Sequence, residues 1–231
     1  DVRALRMLQS NLARVVESYV LHESTVQILS TYVGRDAGSR VLEGNILRGD
    51  TETIPSIVLF TDLKDFTALS NASAASEVIE LLNDFYDIAE TAIGNNGGEI
   101  LKFKGDGLLA LYTTHDDLAA QKAASVAAIS ALEETCTEME NANLPKIRFR
   151  ASLHLGDIHY GNIGSKSRMD FTAIGPTVNL AARLLSAADD LGVDIVCSEA
   201  FYSLVPEQAS MLGEREFKGF DTPQPVYSIA L

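Results

Sequence analysis

The stretch EILKFKGDGLLALY, residues 99 to 112, does most to limit what this chain can fold into. Two strand-like runs meet at Gly105-Asp106-Gly107, and glycine supplies the positive φ angles that a tight turn needs, so the stretch reads as a β-hairpin. On either side the apolar period becomes helical. From Ala75 to Ile93 the positions Val78, Leu81, Leu82, Phe85, Ile88, Ala89, Ala92 and Ile93 recur at helix spacing, and Gly97-Gly98 supplies the stop. A second amphipathic helix is expected from about Asp117 to Met139. Ser56 to Thr61 (SIVLFT) is a short continuous apolar run and reads as a buried strand, while residues 146 to 155 (KIRFRASLHL) alternate like another. The order is β-α-β-β-α-β with a hairpin in its middle, an α+β fold of the split βαβ or ferredoxin-like kind.

Beyond that unit, Gly156, Gly161 and Gly164 suggest a tight excursion of the chain. A helix from about Thr177 to Ala188, a short strand VDIVCS and two terminal strands near 214 to 218 and 225 to 230 are expected to follow. Ahead of it, Leu5, Leu8, Leu12, Val15 and Tyr19 step by three and four, which lines one helix face. That face fits a coiled-coil seam or an amphipathic helix lying on the domain, and both readings stay open. Residues 34 to 50, with four glycines and mixed charge, read as a linker with a short helix inside. Residues 1 to 50 are thus an N-terminal helix and linker, and residues 51 to 231 a separate domain. Because the sequence opens at Asp1 without methionine, it is expected to be a fragment of something longer.

The 231 residues are 46% hydrophobic, enough for a sizeable core, and carry a formal charge of -14. Such a chain repels nucleic acid phosphates, so nucleic acid is not an expected partner. Cys136 and Cys197 are too few for a disulfide framework and read as apolar fillers in a reducing compartment. No apolar run is long enough to span a bilayer and no signal-peptide pattern opens the chain. The four histidines, His22, His115, His154 and His159, lack metal-ligand spacing and read as structural or surface residues.

The chemistry-bearing residues are carboxylates. In a split βαβ fold the first strand lies beside the hairpin, so Asp62, ending the first strand, can meet Asp106 at the hairpin tip. Two hard oxygen donors there suit Mg²⁺, which takes its remaining ligands from water and phosphates. The competing reading makes Asp106 a turn former and Asp62 a helix cap. Residues 63 to 67 (LKDFT) connect strand to helix, and their backbone N–H groups can face a phosphate.

Three segments, VLFTDLKDFTALS, GGEILKFKGDGLLALY and RASLHLGDIHYGNIGSKSRMDFTAIGPTVNLAARL, resemble successive signatures of the class III nucleotidyl cyclase catalytic domain in order and spacing, over roughly residues 55 to 230. The resemblance implies a palm-type domain that converts ATP or GTP to the cyclic 3′,5′-monophosphate and pyrophosphate, at sites shared by a head-to-tail homodimer. It assigns two Mg²⁺ or Mn²⁺ ions to Asp62 and Asp106, with the Leu63 carbonyl as a further ligand, and substrate contacts to Phe66 and Thr67. It makes Asn179 the residue that orients the ribose, Arg183 the stabiliser of the transition state, and Lys218 a triphosphate contact. Lys102 corresponds to the base-reading lysine and Thr172 to its partner, the arrangement of a Thr-containing subgroup for which bicarbonate stimulation is described. An ammonium donates to adenine N1 and a threonine hydroxyl accepts from N6, whereas guanine would leave the lysine unpaired at a cost of roughly 1 to 3 kcal/mol. ATP is therefore the expected substrate.

Lys64-Asp65 replaces small residues in the phosphate-facing loop, Lys104 replaces an apolar one, and Asp157 stands where some relatives carry a basic phosphate contact. The expected protein is an adenylate cyclase homodimer acting in the cytoplasm, behind an upstream sensor domain and in a full-length protein that a membrane could also hold. A guanylate cyclase and a catalytically silent nucleotide-binding regulatory module are the alternatives.

Overall fold

The computed structural model describes residues 2–142, 144 and 148–231, with side chains in the first helix from residue 8 onward except residue 10. The Leu5 side chain and residues 146 and 147 of the expected strand lie outside the described residues. The chain divides into two compact units, Asp1–Asp50 with Asn162–Phe171, and Thr51–Gly161 with Thr172–Leu231.

In the first unit, helix α1 (Val2–Val33) runs on well past the seam seen in the sequence, because no breaker interrupts it before Gly34. Gly34 takes φ 97, a conformation glycine adopts without strain, and the chain then forms α2 (Arg35–Leu42). Ala37 and Gly38 of α2 are buried; a Cβ on Gly38 would lie 3.3 Å from the backbone of Leu29, so the two helices cross where a side chain is missing. Leu8, Leu12, Val15 and Tyr19 stay 64 to 65% exposed, so the seam is not consumed by contacts within the chain. Asn162 anchors the linker by donating from Nδ2 to the Asn45 carbonyl at 2.7 Å.

The second unit contains β1 (Thr51–Leu63), α3 (Phe66–Ala72), α4 (Ala75–Asn95), β2 (Glu99–Lys104), β3 (Gly107–Thr113), α5 (Leu118–Asn141), most of β4 (Phe149–Gly164), the second half of β5 (Met169–Ile174), α6 (Pro176–Leu191), β6 (Ile195–Ser198), α7 (Glu199–Tyr202), β7 (Ala209–Arg215) and β8 (Gln224–Ile229). The strands run β2-β3-β1-β4-β6-β8-β7, with β5 paired to β4. The first four positions are the split βαβ order, and the whole is an α+β palm-type domain. Ile57 and Leu59 of β1 join Phe85, Ala89 and Ile93 of α4 and Leu132 of α5 in one core. Ile195 and Cys197 of β6 belong to that core, while Val196 between them packs with Leu180, Leu184 and Ala188 of α6. Since successive strand residues point to opposite faces, α6 covers the other side of the sheet.

Two expectations need correction. Gly156, Gly161 and Gly164 do not form an excursion: β4 runs through them and turns back only at residues 165 to 168 into β5, which the sequence reading did not anticipate. Gly156 serves packing inside the strand, since a Cβ there would sit 2.8 Å from Thr177 Oγ1. The strand expected at 214 to 218 is β7, Ala209–Arg215. Phe217 leaves the ladder to pack against the α6 cluster, and Phe220 N–H closes a turn on its carbonyl at 3.0 Å, so Lys218 lies in the connection to β8.

Candidate active site

The antiparallel pairing of β1 with β3 sets Asp62 opposite Gly107, one residue from Asp106. Two glycines make the turn possible. Gly105 has φ 66, and a Cβ on Gly107 would lie 1.9 Å from the Thr61 carbonyl oxygen, so only glycine lets the backbones approach this closely. Leu63 N–H donates to the Asp106 carbonyl at 3.1 Å, and the Tyr86 hydroxyl donates to the Gly105 carbonyl at 2.7 Å. The Leu63 side chain is buried, which leaves its backbone as the part that can serve the site.

Burial first, and then the charge of Asp106, push the Asp62 carboxyl up to about 6, with Arg150 pulling the other way. A pair of carboxylates under mutual repulsion fits a hard divalent cation. Among the described residues no group of three or more His, Cys, Asp or Glu gathers, so further ligands have to come from backbone oxygen, water or substrate phosphate.

On β2, Lys102 lies opposite Leu109, just past a register shift in the strand. Its Nζ donates to Oγ1 of Thr172 on β5 at 3.3 Å, with Thr172 almost fully buried. On α6, Asn179 is exposed and Arg183 follows one turn later on the same side of the helix. Arg183 and Lys218 line one cleft of about 410 Å³, together with Arg215, Asp190 and Glu216. Asp62, Asp106, Lys102 and Asn179 are not among its lining residues.

The family model of the adenylate and guanylate cyclase catalytic domain matches residues 51–227. This chain belongs to that family. It is 30% identical over 179 residues to adenylate cyclase 1 of Rhizobium meliloti, covering 74% of this chain and 27% of that protein. It is 31% identical over 159 residues to an adenylate cyclase of Anabaena cylindrica, covering 68% of this chain and 32% of that one. The chain thus spans less than a third of the length of these relatives. The adenylyl cyclase CyaB from P. aeruginosa superposes with a TM-score of 0.69 at 28% identity, over 79% of this chain and 96% of that one.

Within the cyclase domain the remaining predicted positions fall as follows. Phe66 and Thr67 open α3, with the Phe66 ring packed against the core and Thr67 exposed. Lys64 is bonded to Asp194, which also takes Arg148 at 2.5 Å; Asp65 is exposed with φ 56. Lys104 Nζ sits 5.2 Å from the centre of the Phe60 ring, and Asp157 is exposed while its carbonyl accepts from Thr177 Oγ1 at 2.6 Å. Cys136 and Cys197 are free thiols, and burial raises the Cys197 thiol to about 12. Two groups near the site escaped the sequence reading. Arg150 is signalled only by the β1–β4 register, which sets it opposite Asp62, and Arg215 only by standing three residues before Lys218. Among the described residues no helix is long and apolar enough to cross a membrane.

Proposed function

We propose that the chain is an adenylate cyclase, converting ATP to 3′,5′-cyclic AMP and pyrophosphate at two equivalent sites between paired copies. The observation that carries the choice of ATP is the Lys102–Thr172 pair, whose ammonium and hydroxyl suit adenine N1 and N6. In the reaction the ribose 3′-oxygen forms a bond to the α-phosphorus, and the bond from that phosphorus to the pyrophosphate oxygen breaks.

Two Mg²⁺ or Mn²⁺ ions held by Asp62, Asp106 and the Leu63 carbonyl would supply acidification of the 3′-hydroxyl and neutralisation of phosphate charge. Arg183 stabilises the charge that builds on the α-phosphate, and Asn179 one helical turn earlier orients the ribose. Lys218, in the same cleft as Arg183, binds the triphosphate, and the backbone N–H groups at Phe66 and Thr67 face it from the end of β1. The cleft that contains Arg183 and Lys218 lacks the acidic pair, which favours completion of each site by a second copy. A two-fold pairing then makes both sites equivalent.

Cyclic nucleotide formation by the purified chain, with ATP and GTP tested separately in Mg²⁺ and in Mn²⁺, tests this reading. Cyclic AMP that Asp106→Ala abolishes supports it; faster turnover of GTP makes the chain a guanylate cyclase. Silence with both nucleotides in a folded dimer favours the non-catalytic module. Residues 1 to 50 carry the signal of an upstream sensor domain into the cytoplasmic catalytic domain by setting the angle between copies. If their removal changes neither dimerisation nor rate, that role is excluded.

A further inference from the structure

Arg150 belongs to none of the roles above, yet its environment is unusual for a surface cation. It faces Asp62 across the β1–β4 ladder, and its side chain is only 13% exposed. Nη2 lies 3.6 Å from Asp62 Oδ2, Nη1 is bonded to Asp189 Oδ1, and Nε has no hydrogen-bond partner among the described residues. At 3.6 Å the contact with Asp62 is an ion pair and not a hydrogen bond. A buried guanidinium that leaves N–H groups unsatisfied is costly, and a small movement toward Asp62 would satisfy one of them. The bond to Asp189, in the last turn of α6, is what holds it back.

We propose that Arg150 is a positioning residue: a resident counter-cation that Asp189 keeps from closing on Asp62, so that the Arg150–Asp189 pair sets how tightly the Asp62–Asp106 edge takes a divalent cation. The inference rests on the reading of Asp62 and Asp106 as metal ligands. As placed, the guanidinium repels any cation that Asp62 takes up, across half-buried space where water screens poorly. Freed from Asp189, it would reach Asp62 as a hydrogen-bonded fork and occupy the carboxylate oxygens themselves. Removing the two partners of one ion pair therefore moves metal affinity in opposite directions. Damage to the fold would move both the same way. Because α6 also carries Asn179 and Arg183, the same triad joins the acidic edge to that helix within one chain.

The test is Mn²⁺ binding to the full chain without nucleotide, followed by the electron paramagnetic resonance of the free ion at pH 8. Arg150→Gln should tighten binding and Asp189→Asn weaken it, each by about tenfold, while Arg150→Lys, which keeps the charge, stays within about threefold of the parent. Equal shifts of the same sign in Arg150→Gln and Asp189→Asn, or no shift in either, at an unchanged urea midpoint, would overturn the proposal. Should Arg150→Gln not fold, Asp189→Asn decides alone, since the Asp189 side chain is 75% exposed; unchanged or tighter binding there overturns it. Asp106→Asn separates the two levels. If it binds Mn²⁺ like the parent, the metal reading fails and takes this proposal with it; if it loses binding while the triad variants are inert, the triad alone fails.

Discussion

Lys102 Nζ and Thr172 Oγ1 lie 3.3 Å apart although the residues are 70 positions apart in the chain. One comes from the central hairpin and the other from β5, so the contact exists only once the sheet has formed. If this pair reads adenine, Lys102→Glu replaces the donor that N1 accepts by an acceptor that suits the N–H groups of guanine. Expected is a fall in kcat/KM for ATP of about tenfold to a hundredfold, with a rise in the ratio of GTP to ATP turnover. Equal losses on both nucleotides would mean that the pair does not discriminate between bases.

If each site is shared by two copies as proposed, Asp106→Ala and Arg183→Ala each remove one side of it. A heterodimer of the two variants places both lesions in one site and leaves the other intact. In a fully exchanged mixture half the dimers are heterodimers with one working site of two, so about a quarter of the parental activity should return. Mixed variants that exchange subunits, shown by a tag on one of them, and still do not turn over ATP would place each site within a single chain.

Much of this geometry was legible before any coordinates. The Gly105-Asp106-Gly107 hairpin, the helix ended by Gly97-Gly98 and the apolar run of β1 are short-range signals, and they fixed the first four strands and the meeting of Asp62 with Asp106. What escaped depends on register and on distant packing. Gly156 looked like a turn former because a sequence does not reveal Thr177 lying 2.8 Å from its absent Cβ. Lys218 looked like a strand residue because the anchoring of Phe217 beside α6 is a long-range contact. Arg150 alternates in β4 like any strand residue, and its relation to Asp62 appears only when β1 and β4 are aligned.

Gly107 and Gly105 flank Asp106 but answer to different constraints. A methyl group at Gly107 would overlap the Thr61 carbonyl oxygen, at 1.9 Å, and backbone cannot swing aside as a side chain can. Gly107→Ala should cost about 3 kcal/mol and, by displacing the turn, lower turnover further than its stability loss accounts for. At Gly105, with φ 66 and nothing within 4 Å, Ala meets only left-handed strain of about 1 to 2 kcal/mol. Urea denaturation of both variants checks the order, and a Gly107→Ala midpoint above that of Gly105→Ala would contradict the close approach of β3 to β1.

His154 predicts the acid limb of stability. The Ser198 hydroxyl oxygen accepts from Phe201 N–H at 3.3 Å and lies 2.7 Å from His154 Nδ1, so the hydroxyl proton is available to a neutral imidazole. Burial lowers its pKa to about 4, whereas in the unfolded chain it titrates near its ordinary value of about 6.5. Below about 6.5 the unfolded state takes up a proton that the folded state refuses, so this group's contribution is complete above that pH and is lost progressively down to about 4, by roughly 3 kcal/mol in all. Asp62, raised to about 6, works in the opposite sense, because its folded form takes up the proton first. Comparing the parent with His154→Gln cancels that opposing contribution. Between pH 7 and pH 5 the parent should lose stability relative to His154→Gln, by about 2 kcal/mol in urea unfolding at fixed protein concentration. Parallel pH profiles would show that the imidazole is free to ionise in the folded protein.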